Sequence, residues 1–336
     1  MGNRKVPFQR MLVAASCLLM VTSSHADLSI SGPGPDQRTQ AARAAAEGSK
    51  ACKAIMPFYW EIGDAKQRLV GGTVGGSVPT AESPMRIASA SKWWFGAYVE
   101  QLRNGKLTPQ DIKALTMRTG YTNFKYRMCV KRGESRQAKL TVAECFKERG
   151  LLAGSNAQYE QKEDGKFYYN GGHFQYWAVQ NGLGGRNDAT LAQAVRDQLG
   201  NELFLQYSSP QLAGGGYSNA DAYGKFLRKI LAGKLIISAH LGDDAVCTNK
   251  QDCPAQASHS PIPDGYHWHY SLGHWVEDDG TFSSPGAFGF YPWIDSSKTW
   301  YGIIARQKKS VFEKVAVDSV ECGVQIRKAW MTGQAQ

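Results

Sequence analysis

The chain has 336 residues, of which 42% are hydrophobic and 20% are charged. This composition is ordinary for a globular protein, and the length allows one large domain or two small ones. Beyond the N-terminus, no stretch approaches the roughly eighteen apolar residues of a membrane span, so we expect no integral membrane segment in the mature chain. The formal net charge of +10 can favour anionic partners, but it is also common among secreted proteins. We expect no nucleic-acid partner.

The first 26 residues have the pattern of a secretory signal peptide. Arg4, Lys5 and Arg10 precede an apolar run over 11–22, and Ser24-His25-Ala26 ends in a small-x-small step. The pattern predicts cleavage after residue 26 and export to the periplasm or the extracellular space. Cleavage would remove three cations and no acid, so the net charge would fall from +10 to +7.

Six cysteines remain after this segment is removed. An even number in an exported chain indicates disulfides, and six cysteines allow fifteen pairings. Our preferred set joins two short local loops and ties the two ends of the chain together: Cys129–Cys145, Cys247–Cys253 and Cys52–Cys322. Closing the longest loop would constrain the unfolded chain most. No C-x-x-C pair is present, so we expect no zinc site of that kind.

The predicted elements fall into three blocks along the chain. The first block has a helix over 40–53 and strands over 58–62 and 69–74. The second block is mostly helical, with helices over 91–103, 108–114, 190–199 and 219–231. The third block has strands over 268–276, 286–294 and 300–306, followed by a closing helix over 319–331.

This order of elements predicts an α+β fold. An antiparallel sheet would be built from both termini and flanked by helices, with a mostly helical insert between its two parts. We expect a single domain over 27–336, with its α/β part over about 37–90 and 264–336 and its helical part over about 91–263.

The segment Ile87–Lys92 carries the strongest chemical signal in the chain. It reads as a strand end, a turn and a helix start, and it contains the only S-x-x-K of the sequence. Ser89 and Lys92 would share one helix face because they are three positions apart. Serine needs a base beside it to act as a nucleophile, and lysine can be that base where burial and a helix dipole lower its pKa. The free N–H groups of a helix start can hold an oxyanion.

A second proton-transfer group is predicted at Tyr168. It opens a Y-x-N pattern that ends at Asn170, whose amide could hold Lys92 or the substrate. Tyr121-Thr122-Asn123 and Tyr217-Ser218-Asn219 have the same letters, so this pattern alone is a weak signal.

Taken in order, these motifs resemble the serine β-lactamase and penicillin-binding protein superfamily. The resemblance is to the branch of class C β-lactamases, D-alanyl-D-alanine carboxypeptidases and related esterases. Ile87–Lys92 resembles the first motif, Tyr168–Asn170 followed by Gly172-His173 resembles the Y-x-N motif, and 284–289 resembles the strand of the third motif. The resemblance implies a β-lactamase/transpeptidase-like fold without cofactor or metal. It also implies Ser89 as nucleophile, Lys92 and Tyr168 as proton-transfer groups, and Asn170 as an orienting residue.

The third motif departs from the family pattern. The family usually has K-T-G or H-x-G there, whereas this chain has Ser284-Pro285-Gly286. The backbone role survives, since the N–H of Ala287 could pair with that of Ser89 as an oxyanion hole. The missing cation or imidazole argues against a substrate carboxylate, so an uncharged ester or amide fits better than a lactam or a D-alanyl peptide.

Three other functions stay open at this stage. The first is β-lactamase or D-alanyl-D-alanine carboxypeptidase activity. The second is a binding or sensor module in which Ser89 is acylated slowly or not at all. The third is a metalloenzyme that uses His267 and His269, which would share one face of a strand, together with His274. No further ligand has a diagnostic spacing, so this last reading is the weakest.

Overall fold

The structure of the protein is a computed structural model that describes residues 1–2, 32–125, 129, 140–147, 158–308 and 313–335. The predicted signal peptide and most of the basic segment over 125–139 lie outside these residues. The helices are α1 (Pro35–Gly48), α2 (Lys50–Lys53), α3 (Ser91–Arg103), α4 (Pro109–Leu115), α5 (Val142–Lys147), α6 (Gly172–Gln180), α7 (Asp188–Leu199), α8 (Ala220–Leu231) and α9 (Glu313–Thr332).

The strands are mostly short and come from all three blocks of the sequence. They are β1 (Phe58–Asp64), β2 (Arg68–Val74), β3 (Met85–Arg86), β4 (Thr119–Tyr121), β5 (Tyr159–Asp164), β6 (Phe167–Tyr168), β7 (Gln206–Tyr207), β8 (Gly216–Ser218), β9 (Val246–Cys247), β10 (Ala257–His259), β11 (His269–Tyr270), β12 (Trp275–Val276), β13 (Phe282–Ser283), β14 (Tyr291–Ile294) and β15 (Trp300–Ala305).

The main sheet has eight strands in the order β2-β1-β15-β14-β13-β12-β11-β9. Each neighbouring pair in it is antiparallel. The N-terminal hairpin β1–β2 pairs directly with the C-terminal strand β15, with Tyr59 opposite Ala305. The predicted α+β fold, with an antiparallel sheet built from both termini, is therefore confirmed.

Two strand predictions in the third block are wrong in detail. The strand predicted over 268–276 is a hairpin, β11–β12, because the chain reverses at Gly273 with a φ of +84°. The strand predicted over 286–294 begins only at Tyr291, and the preceding residues form a turn after the short strand β13. Both segments contain turn residues, Gly273 in the first and Pro285-Gly286 in the second, but aromatic residues continue on both sides of them, so each segment resembled one continuous strand.

Both ends of the chain are held together across the sheet. In α1 an alanine face packs against α9; its buried members are Ala41, Ala42, Ala45 and Ala46, at helical spacing. Cys52 in α2 is bonded to Cys322 in α9. The pairs Cys129–Cys145 and Cys247–Cys253 are also formed. All three preferred disulfides are therefore confirmed.

Helix α3 lies at the centre of the fold. Its residues 91–100 are all buried, as expected for a helix that is apolar on most of its surface. It presses against the β11–β12 hairpin without room for side chains between them. A Cβ atom on Gly96 would lie 2.1 Å from the carbonyl oxygen of Leu272, and one on Gly273 would lie 2.5 Å from that of Lys92. The hairpin thus fixes the first turn of α3 against the sheet.

Candidate active site

Ser89 lies in a single 3-10 turn, Ala88–Ala90, immediately before α3. Ala88 has a φ of +46°, which is uncommon for a residue with a side chain and is found mostly where the surrounding structure enforces it. Two contacts enforce it here: the Ser91 hydroxyl donates to the Ala88 carbonyl at 2.5 Å and accepts from the Gly216 N–H at 3.0 Å. Strand β8 thereby holds the turn that presents Ser89.

Lys92 lies one turn further along and points back at Ser89. Its Nζ atom is 2.9 Å from the Ser89 hydroxyl oxygen and 2.7 Å from the Ala213 carbonyl oxygen. The residue is only 5% exposed, and no acidic side chain forms an ion pair with it in the described part of the chain. Burial lowers the pKa of Lys92 to about 7. A large share of this amine is therefore unprotonated at neutral pH and able to accept a proton.

The tyrosine beside these two residues is Tyr169, and the prediction of Tyr168 needs correction. The ring centroid of Tyr169 is 4.6 Å from Lys92 Nζ. Burial raises the pKa of Tyr169 to about 12, and the nearby Ser89 hydroxyl and Trp275 side chain partly oppose that rise. Tyr168 faces elsewhere: its ring lies 4.9 Å from that of His259. Its pKa is raised by burial and then by the charges of two carboxylates, Glu160 and Glu163.

The alternation of side chains along an extended chain explains why Tyr169, and not Tyr168, lies beside Ser89 and Lys92. Successive side chains of a strand point to opposite faces, so Phe167 and Tyr169 share one face while Tyr168 takes the other. Phe167 and Tyr169 both pack on Trp275, at 5.9 and 5.3 Å between ring centroids. The buried apolar Phe167 was therefore the sequence signal that its own side chain and that of Tyr169 face the core. The Y-x-N pattern did not contain this information.

Asn170 does not face Lys92 in the structure, and its predicted orienting role is not supported. Its side-chain oxygen accepts from the backbone N–H groups of Phe124 and Gly172, at 3.2 and 2.8 Å. Its amide nitrogen donates to the Phe124 carbonyl at 3.3 Å. These bonds fix the loop before α6. The second partner that orients Lys92 is the Ala213 carbonyl, from the glycine-rich turn before β8.

The third-motif segment lies directly against the Ser89 turn. The Ser284 hydroxyl donates to the Ser89 carbonyl oxygen at 3.0 Å. Gly286 leaves no room for a side chain, since a Cβ atom there would lie 2.2 Å from the Ile87 carbonyl oxygen. Ala287 lines the same cavity as Ser89. The close approach at Gly286 is the physical reason for glycine there, and it brings the Ala287 backbone to the serine.

A cavity of about 230 Å³ opens beside Ser89. Tyr169 and Ala287 line it, and so do aromatic and aliphatic side chains from β12, α9 and the segment over 259–268. Its apolar lining residues include Pro261, Ile262, Pro263, Tyr266, Trp268, Trp275, Pro285, Ala316, Val317 and Val320. The Ser89 residue therefore borders a mostly apolar space.

Of the three histidines considered for a metal site, His267 and His269 are exposed and His274 is buried. His267 is exposed and pairs with Asp252 at 2.6 Å. His274 is buried beneath Trp93, with 5.4 Å between their ring centroids, and burial lowers its pKa to about 3. Among the described residues, no group of three His, Cys, Asp or Glu side chains is arranged to hold a metal ion.

None of the described helices combines the length and the hydrophobicity that a membrane span requires.

Comparison with known proteins gives a likeness of structure only. No family model matches the chain, and no curated protein matches it. Simvastatin synthase (LovD) from Aspergillus terreus has a TM-score of 0.57 at 14% identity, over 87% of this chain and 98% of its own. EstCE1, a hydrolase with promiscuous acyltransferase activity, has a TM-score of 0.55 at 13% identity, over 86% and 98%.

A third similar structure, from Bacteroides dorei DSM 17855, is provisionally assigned as a β-lactamase. It has a TM-score of 0.54 at 18% identity and covers 80% of this chain and 94% of its own. At identities this low, the structural likeness establishes a shared fold and nothing more. The chain therefore has the fold of the β-lactamase-like serine hydrolases, the superfamily that its motifs predict.

Proposed function

We propose that this protein is a serine hydrolase that forms an acyl-enzyme on Ser89 from an uncharged ester or amide. The observation that carries the proposal is the 2.9 Å contact between the Lys92 amine and the Ser89 hydroxyl. The amine is buried, has no acidic partner among the described residues and has a pKa lowered to about 7. A cation with a purely structural role would be expected to have a carboxylate beside it.

In the first step Lys92 accepts the proton of Ser89 while the serine oxygen bonds to the substrate carbonyl carbon. The carbonyl oxygen becomes an oxyanion, which the backbone N–H groups of Ser89 and Ala287 stabilise. Neither of these two groups has a hydrogen-bond partner within the described residues. Both are therefore available to the substrate.

Tyr169 supplies the proton that the leaving group needs. With a pKa raised to about 12, it is protonated at neutral pH and acts as an acid rather than as a resident tyrosinate base. When the bond from the carbonyl carbon to the leaving group breaks, Tyr169 donates its proton. The Lys92 ammonium, which lies over the same ring, restores it. Water then attacks the acyl-enzyme by the reverse proton path and releases the acid.

The substrate is uncharged in this proposal. The segment Ser284-Pro285-Gly286 places no cation beside Ser89, so a substrate carboxylate would have no counter-charge there. We also propose that the protein is exported, because its three disulfides persist in oxidising compartments.

The test is covalent labelling of the purified mature protein with a fluorophosphonate, followed by mass spectrometry. We expect a single adduct on Ser89, which Ser89→Ala abolishes. Ser77→Ala is the matched control, because Ser77 is an exposed serine in the loop after β2. An adduct that persists in Ser89→Ala would exclude the mechanism. Turnover of a nitrophenyl ester separates a hydrolase from a sensor module, which would be labelled without turnover.

A further inference from the structure

The cavity beside Ser89 is built from segments that are far apart in the sequence. Its lining includes the proline-rich segment Pro261–Pro263, which we call the proline-rich wall, and the residues Ala316, Val317 and Val320 of α9. Trp268 and Trp275 add aromatic rings to the lining. None of the described lining residues is Asp, Glu, Lys or Arg. A substrate group that enters this cavity is transferred from water to an environment of mostly apolar side chains.

The chain that follows the proline-rich wall is anchored by hydrogen bonds to its backbone. Asn249 is 6% exposed, and its amide nitrogen donates to the carbonyl oxygens of Asp264 and Tyr266 at 2.9 and 3.2 Å. The neighbouring Thr248 hydroxyl donates to the Trp268 carbonyl at 2.5 Å. The disulfide Cys247–Cys253 closes the loop that carries both residues. The cavity is thus shaped before a substrate arrives, which favours selection by shape and size.

Charged side chains of α9 lie near this proline-rich segment. On the outer side of Pro261–Pro263, a second cavity is lined by Lys314, Asp318 and Glu321 of α9. Lys314 is paired with Asp318, which leaves Glu321 as the net charge of the three. The basic groups at the cavity are the His259 imidazole in its described lining and the Lys92 amine 2.9 Å from the Ser89 hydroxyl, and neither is a permanent cation that would pair with an anionic substrate group. The site therefore disfavours an acid as well as favouring an apolar group.

The size of the cavity limits what it can hold. Its volume of about 230 Å³ exceeds the roughly 150 Å³ of an apolar protein cavity that binds benzene. The difference is enough for two or three methylene groups beside an aromatic ring, and it is too small for a long fatty chain.

We infer that this cavity binds one uncharged, ring-sized apolar substituent of the substrate, and that this substituent packs against the face of α9 that carries Ala316. The inference rests on the proposed function, because it concerns the group next to the carbonyl that Ser89 attacks. The apolar ring could belong to the acyl part of the substrate, as in a phenylpropanoyl ester, or to its alcohol part, as in a phenylethyl ester.

The test compares small and ring-bearing substrates in two arms. The acyl arm compares p-nitrophenyl acetate with p-nitrophenyl 3-phenylpropanoate. The alcohol arm compares ethyl acetate with 2-phenylethyl acetate, and hydrolysis in this arm is measured by the release of acid. Full burial of a ring of this size predicts a rise of about 30-fold in kcat/KM in one arm. The arm that responds identifies the side. A change of less than about threefold in both arms would overturn the inference.

A charge test uses p-nitrophenyl hydrogen succinate against its neutral methyl ester. We expect the anionic hemiester to have a kcat/KM at least about tenfold lower, because the cavity has no counter-charge for it. Equal turnover of the two esters would also overturn the inference.

The contact with α9 is tested with Ala316→Leu, which adds three carbon atoms at the lining of the cavity. In the arm that responds, we expect the ratio of kcat/KM for the ring-bearing ester to kcat/KM for the small ester to fall by about tenfold. Lys328→Leu is the matched control on the same helix, since Lys328 is exposed and does not line the cavity. It should leave the ratio unchanged. An unaltered ratio in Ala316→Leu would remove Ala316 from the inference.

A measurement on the unmodified protein covers the case in which Ala316→Leu does not fold. 3-Phenylpropan-1-ol should inhibit acetate hydrolysis competitively, and non-competitive inhibition or none would contradict the cavity assignment. These results are distinguishable from failure of the proposed function. If the protein hydrolyses acetate in a Ser89-dependent way but shows no ring preference, only this inference fails. If no Ser89-dependent turnover or labelling occurs, the proposed function fails.

Discussion

Lys92 and Arg327 are both buried cations, but their surroundings are opposite in character. Arg327 is 3% exposed and Lys92 is 5% exposed. Arg327 contacts Glu277 at 2.9 Å, Asp279 at 3.0 Å and the Tyr291 hydroxyl at 3.0 Å. Among the described residues, the hydrogen bonds of the Lys92 amine are to neutral oxygens, from Ser89 and Ala213. Burial acts against the charge at both sites, and only the arginine has carboxylates that offset it.

The difference shows how burial can serve two ends in one fold. At Arg327 burial opposes the charge, but Tyr291, Glu277 and Asp279 outweigh it, so the pKa of Arg327 is raised and the cation persists. At Lys92 burial acts without such opposition, so the pKa falls to about 7 and the amine becomes a base. A permanent cation cross-links α9 to the strands near β12, whereas a titrating amine can move a proton.

The largest expected effect is that of Lys92→Met, which keeps the length of the side chain and removes the base. We expect kcat/KM for a nitrophenyl ester to fall by about 10³- to 10⁴-fold, because proton transfer from Ser89 loses its acceptor. The melting temperature should not fall, since a buried group without a carboxylate partner is removed. Activity within tenfold of the unmodified protein would show that another group is the base.

Arg327→Met should show the other half of the comparison in stability rather than in rate. Removal of the cation leaves Glu277 buried without its partner, so we expect the free energy of unfolding to fall by about 3–5 kcal/mol. Denaturant unfolding measures this change, and kcat/KM of the folded fraction should stay as it was. The neighbouring exposed residue provides the control Lys328→Met, which should change stability by less than about 0.5 kcal/mol. A similarly small change in Arg327→Met would contradict the paired-cation assignment.

Tyr169→Phe sharpens the account of the reactive site, because it keeps the ring that lies under Lys92 and removes only the hydroxyl. We expect kcat/KM to fall by about 10²-fold through loss of the acid for the leaving group. Tyr168→Phe is the matched control one residue away and should lower kcat/KM by less than about threefold. The opposite ranking of the two variants would restore the assignment made from the Y-x-N letters.

The most gradual expected effect is the pH dependence of acylation. The amine is the reactive form, and it predominates above the pKa of Lys92, which burial lowers to about 7. The second-order rate of fluorophosphonate labelling should therefore rise about tenfold per pH unit below that value and level off above it. The near-UV circular dichroism should be constant over the same range, so that unfolding is not mistaken for titration. A rate that is flat down to pH 5 would mean that Lys92 is not the titrating base.

The sequence predicted what depends on short-range geometry. Three positions along a helix place two side chains on one face, so the pairing of Ser89 with Lys92 could be expected before any fold was considered, and the structure places their atoms 2.9 Å apart. The antiparallel sheet from both termini followed from the order of elements. The three disulfides followed from loop lengths and the even number of cysteines, although fourteen other pairings were possible.

Long-range packing decided the rest. The phase of the extended segment at Phe167 determines which of two adjacent tyrosines faces the serine, and that phase is set by the aromatic residues of β11 and β12, about a hundred positions away in the chain. Asn170 is drawn to the backbone of Phe124 instead of to Lys92 for the same reason. The cavity needs α9 and the segment over 259–268 in contact, which no local pattern encodes. Local spacing follows from the regular geometry of helices and strands, whereas these placements depend on which buried surfaces fit together in the finished fold.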